Sequence, residues 1–147
     1  MLVNKRENFR IHLQTPLSVR CRIVGIRNKE SNSNYTRTAF KDISLGGARM
    51  HTQLDFPEHM DILFEFIFTL FGNEIKIVGT IVRKAELHPD LFEYGIKFSI
   101  TEVSLEQLLS TQLQRLSIRL RESNIQKDCS FYTEHELLSL YKGSSIQ

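Results

Sequence analysis

Tryptophan is absent from this 147-residue chain, cysteine occurs twice and proline three times. The two cysteines, Cys21 and Cys129, lie far apart. They are too few for a disulfide framework and lack the close spacing of a metal site. Cys21 falls at an apolar position of an alternating segment, where a small buried thiol is expected, and Cys129 falls in a polar stretch. The most apolar run, residues 62–71, is too short to span a bilayer and is interrupted by Glu65. The N-terminus is charged within a few residues and has no signal-peptide core. Charge of one sign is lacking too: 19 Lys and Arg stand against 17 Asp and Glu, a net of +2. That balance excludes nucleic-acid binding by bulk electrostatics. These absences predict a cytoplasmic protein of a reducing compartment, with no membrane insertion and no nucleic-acid partner.

The chemistry of catalysis is missing as well. His12, His51, His59, His88 and His135 are scattered without ligand spacing, so no metal residues are expected. Ser44 is followed by glycines, but the G-x-S-x-G elbow of a nucleophile is absent, and so is a phosphate-cradling P-loop. The expectation is a binding protein, with no catalytic residues and no cofactor.

What is present is period-two alternation. Leu17, Val19, Cys21 and Ile23 share one face of a strand over residues 17–26, after Pro16. A polar loop over 27–34 leads to a strand over 35–41, and a short strand over 48–52 follows the turn Asp42-Ile43-Ser44-Leu45-Gly46-Gly47. Residues 62–71 are apolar on both faces, which requires a central strand or one covered on its outer side. Gly72-Asn73 predicts a hairpin to a strand over 75–82, and residues 92–100 form the last strand. Short strands punctuated by glycine predict a small antiparallel β-barrel of six to seven strands.

Then the period changes. Ser104 with Gln107 reads as a capping box opening a helix, with Leu105, Leu108, Leu109, Leu113, Leu116 and Leu120 as an apolar stripe facing the barrel. Thr133 with Glu136 opens a second, short helix beyond a polar linker. The chain thus divides into a barrel domain over 1–120 with an N-terminal arm, and a C-terminal linker and helix over 121–147.

Two polar segments carry the functional signal. Arg6 and Arg10 are four residues apart on the arm, beside Lys5. Guanidinium forks match phosphate oxygens and the guanine O6/N7 edge, and their planes stack on bases. Asp42 and Ser44 lie in the glycine turn with Gly46 and Gly47. A carboxylate accepts from the N–H groups of a guanine edge, and glycines let backbone approach a ligand closely.

Arg6-x-x-x-Arg10 before the first strand and Asp42-x-Ser44-x-x-Gly47 between later strands resemble the two motifs of the PilZ domain, a bacterial receptor for cyclic di-GMP. Ile77-Val78-Gly79-Thr80-Ile81-Val82-Arg83 and Tyr94-Gly95-Ile96-Lys97-Phe98 are similar to its glycine-containing and closing strands, and the resemblance covers about residues 3–118. It implies a split barrel. It also implies cyclic di-GMP held by Arg6 and Arg10 at phosphates and guanine, by Asp42 at a guanine edge, and by Ser44, Gly46 and Gly47 along the turn. Lys5 stands where the family sets whether one ligand or an intercalated pair binds. The implied role is an adaptor whose arm orders on the ligand and signals to a protein partner in motility, pilus, adhesion, biofilm or exopolysaccharide control. The alternative is a PilZ-like interaction module that needs no nucleotide.

Overall fold

The computed structural model describes residues 9–122 and 128–145. Its strands are β1 (Ile11–Ile26), β2 (Lys29–Glu30), β3 (Thr36–Ile43), β4 (Gly47–Thr52), β5 (Ile62–Leu70), β6 (Asn73–His88) and β7 (Leu91–Ser99). Helices α1 (Val103–Arg121) and α2 (Glu134–Ser145) follow. All pairings are antiparallel, in the order β2-β1-β3-β4-β7-β6-β5, and β5 pairs back onto β1 to close a ring. The two-residue β2 extends one end of β1. Inward alternation fills the ring: Phe40, Met50, Phe64, Phe66, Ile75, Ile77 and Tyr94 are all essentially fully buried. Leu109, Leu113 and Leu116 of α1 join the same apolar cluster, so the leucine stripe packs on the barrel as expected.

Several boundaries differ from the sequence reading, each for a physical reason. β1 begins at Ile11, ahead of Pro16, because proline is carried in a register irregularity between His12 and Leu17 where no ladder donor is needed. The β5–β6 turn is Phe71-Gly72, with φ of 51° and 77°, one residue ahead of the expected pair. Both central residues of such a two-residue turn need positive φ. The Ser104–Gln107 capping box does not form: α1 starts at Val103 with Glu102 at its cap, which places Ser104 inside the first turn. The Thr133–Glu136 box does form, with Thr133 N donating to Glu136 Oε1 at 2.9 Å and Glu136 N to Thr133 Oγ1 at 3.1 Å.

The tail is built into the barrel wall. β1 and β5 pair from Arg20 onward, and residues 128–132 enter where they part. Ser18 N donates to Ser130 O at 2.6 Å and Ser130 N to Thr69 O at 2.9 Å, while Tyr132 N donates to Pro16 O at 2.9 Å. Cys129 is partly buried here, its Sγ accepting from Phe71 N at 3.4 Å, rather than lying in a free polar loop. On the outer face of β5 the buried Glu65 accepts from Arg22 Nε at 2.9 Å and Tyr35 OH at 2.7 Å.

Candidate functional site

Asp42 is the centre of the site, and it lies on the last turnward rungs of β3 rather than in the turn itself. It pairs with His12 of β1 on one side and Arg49 of β4 on the other. Its side chain is only 3% exposed, which requires strong compensation for the carboxylate. Arg10 Nη1 bonds Oδ1 at 2.6 Å, and Arg49 Nε bonds Oδ2 at 2.9 Å. His12 Nδ1 stands 3.8 Å from Oδ2. The two distant motifs of the sequence therefore meet on one outer face. Lys5 and Arg6 lie outside the described residues.

The glycine turn is held from within. Ser44 N donates to Gly47 O at 2.8 Å, and the Ser44 hydroxyl accepts from Gly46 N and Gly47 N, each at 3.2 Å. Gly46 O in turn accepts from Phe98 N at 2.9 Å, tying the turn to β7. A Cβ at Gly47 would stand 2.0 Å from Ile96 O, so only glycine fits where β4 crosses β7. Ser44 is itself buried, and its oxygen serves the turn's amides.

Beyond Asp42 the contacts continue. Arg49 Nη1 bonds Glu93 Oε1 at 3.3 Å, and His51 Nε2 bonds the same oxygen at 2.8 Å. His51 Nδ1 meets Tyr141 OH of α2 at 2.9 Å. Burial pushes the His51 imidazole below the ordinary value of 6.5, against the pull of Glu93. A neutral ring then donates from Nε2 to Glu93 and accepts at Nδ1 from the tyrosine. Burial also opposes the charge on Glu93, but His51 and Arg49 outweigh it and hold the carboxyl below 4.5. Asp42, Arg49, Glu93, His51 and Tyr141 thus form one chain of contacts from the arm to the C-terminal helix. Arg37 Nη1 to Glu136 at 2.5 Å and Gln53 Nε2 to Leu140 O at 2.6 Å pin the same helix to β3 and the end of β4.

Sequence reading did not single out Arg49, His51 as part of a site, Glu93 or Tyr141. Alternation beyond Gly47 puts Arg49 and His51 on Gly47's side of β4, which is a usable signal. Their partners come from β7 and α2, and that adjacency depends on strand order.

Known proteins agree with this architecture. The PilZ domain model matches residues 4–119. The chain belongs to the PilZ domain family. Among solved structures, K. pneumonia MrkH in complex with c-di-GMP matches with a TM-score of 0.59 and 18% identity, over 83% of this chain and 56% of that one. MrkH in its apo state matches with a TM-score of 0.58 and 16% identity, over 84% and 56%. The chain therefore corresponds to little more than half the length of MrkH. At such identity these likenesses speak to the PilZ fold alone. No curated protein gives a significant match. Among the described residues there is no cluster of His, Cys, Asp or Glu able to hold a metal ion, and no helix long and apolar enough to cross a membrane.

Proposed function

We propose that this PilZ protein is a cyclic di-GMP receptor that acts as a switchable adaptor. The observation that carries the reading is the 2.6 Å contact between Arg10 and Asp42, which joins the arginine motif to the glycine-turn motif on one face. Support also comes from the family match and from a structural neighbour, MrkH, seen in complex with c-di-GMP.

The contacts around Asp42 define what binding must do. Both oxygens of Asp42 are occupied, by Arg10 and by Arg49. A guanine edge reaches the carboxylate only when one cation lets go. A phosphate provides the reason: Arg10 is half exposed and exchanges the carboxylate for the phosphate, while guanine N–H groups replace it on Asp42. Each charged group stays partnered throughout, so the exchange needs no bare buried charge. Arg6 joins Arg10 on the ligand, and Lys5 adds charge beside them. Ser44, Gly46 and Gly47 keep the turn flat so that the ligand rests against it.

Ligand that bridges the arm to the barrel orders the arm and alters its exposed surface, and this is the signal a protein partner reads. The contacts from Asp42 to Tyr141 extend that change to α2. The decisive measurement is calorimetric titration with cyclic di-GMP. Wild type binds, and Arg10→Ala loses one to three or more decades of affinity, as expected for removal of a charged bidentate contact worth about 2–5 kcal/mol. Asp42→Ala erodes discrimination against cyclic di-AMP. Absence of wild-type binding at high micromolar ligand favours the nucleotide-independent module instead.

A further inference from the structure

Among the described residues, the arginines placed around Asp42 are already neutralised. Arg10 and Arg49 are matched by Asp42 and Glu93, two guanidiniums against two carboxylates. Such pairs present little net field to an approaching dianion. Beyond what the arm's Lys5 and Arg6 add, attraction from the barrel itself must come from elsewhere on the same face.

The register supplies the place. Gly95 of β7 pairs with Arg49 of β4 on one side and with Arg83 of β6 on the other. Directly opposed residues of antiparallel strands share a face, so Arg49, Gly95 and Arg83 form one outward row across three strands. The missing side chain at Gly95 is what lets Arg83 lie down. A Cβ there would stand 3.3 Å from each of Arg83 Cβ, Cζ and Nη1. The next outward row repeats the pattern, with Lys97 paired to Gly47 and to Thr80. Arg83 and Lys97 are both exposed, and neither side chain has an ion pair or hydrogen bond among the described residues. The face thus has a shallow floor at Gly47 and Gly95, with two unspent cations beside it.

We propose that Arg83 and Lys97 form a second anion-holding pair, extending the site from β3 and β4 across β7 to β6, where it takes the ligand's second phosphate. Strands lie about 4.8 Å apart, so Arg49 and Arg83 start about 10 Å from each other, a gap that two arginine side chains close from either side. Arg10 and Arg49 hold the end of the ligand near Asp42, and Arg83 and Lys97 hold the far end. This inference rests on the cyclic di-GMP reading and adds residues to it that neither family motif contains.

The test is calorimetry with cyclic di-GMP at low and moderate salt on wild type, Arg83→Ala, Arg83→Gln, Lys97→Ala and the Arg83→Ala/Lys97→Ala pair. Arg121→Ala, on the end of α1, removes the same charge elsewhere. Each single variant at the pair is expected to weaken binding about tenfold, the double variant by more, and Arg121→Ala by less than twofold. The losses shrink as salt rises. Arg83→Gln keeps the stem over Gly95, so a loss shared with Arg83→Ala belongs to the charge. Thermal melts check that each variant remains folded. Wild-type affinity in the double variant, with Arg10→Ala impaired, overturns the second pair and leaves the receptor reading standing. A wild type that does not bind overturns both.

Discussion

Inside the barrel, Ala48 and Met50 of β4 lie against Tyr94 and Ile96 of β7; outside it, on alternate residues of the same strands, Arg49 and His51 meet Glu93. The inner surface is held by area and volume. Phe40 alone has ring neighbours in Phe66, Phe68 and Phe98, with centroids 5.5–6.2 Å apart. The outer surface around Asp42 and Glu93 is held by named atoms at fixed distances, and each charge there depends on a particular partner. The inner face tolerates a change of shape better than loss of volume. The outer face tolerates loss of volume but not a change of partner. Stability and the proposed recognition are thereby placed on opposite sides of one pair of strands.

That separation can be broken or sharpened experimentally. Phe40→Ala carries the largest expected effect, a loss of about 3–5 kcal/mol in urea unfolding from the cavity at the barrel centre. Gly47→Ala strikes a point where the two faces share a constraint, since its Cβ would run into Ile96 O. It is expected to cost about 3 kcal/mol in the same unfolding measurement and to weaken ligand binding together with stability. Arg10→Ala, on the half-exposed arm, costs about 1 kcal/mol or less of stability while abolishing most of the affinity.

Acidity probes the outer face alone. The native state holds His51 neutral by burial, so its depressed pKa favours folding above the ordinary value of 6.5. Between 6.5 and the lower native value, the unfolded chain binds the extra proton. Stability is therefore expected to fall as pH drops below 6.5, with the loss complete below the native pKa. Glu93, held below 4.5, adds a separate loss at lower pH. Urea unfolding of wild type and His51→Asn across pH 3–7 checks this: the upper slope vanishes in the variant, and the lower one shrinks to what Arg49 alone sustains. Tyr141→Phe is the mildest change. It removes one hydroxyl from His51, costs about 1 kcal/mol and speeds hydrogen exchange in α2 without disturbing the barrel amides.

Much of this fold is legible in the sequence because the inner face obeys a local rule. Alternation over residues 17–26, the two-sided apolar run over 62–71 and the leucine spacing of α1 each report burial directly. The motif residues Arg10 and Asp42 were legible for a different reason: their types and spacing resemble a known pair. What stayed hidden depends on the order in which strands lie side by side. Arg49 cannot be matched to Glu93 or Arg83 to Gly95 without knowing that β7 sits between β4 and β6. The Ser104–Gln107 box failed for a local reason, a helix that starts two residues too early for Ser104 to cap it. The polar stretch around Ser130 concealed its role because backbone atoms make most of its contacts, and backbone leaves no mark on residue type.

The insertion of residues 128–132 between β1 and β5 has a consequence for how the molecule is made. Ser130 Oγ reaches Ser18 O across a separation of 112 residues, one of the longest loops that the fold must close. During synthesis β1 emerges early and waits through the rest of the barrel and all of α1 before its seam is sealed. Such long-range closure slows folding and leaves strand edges open meanwhile. Assembly of this barrel therefore ends with the tail, and a chain halted at the end of α1 would carry a complete set of strands with an unfastened wall.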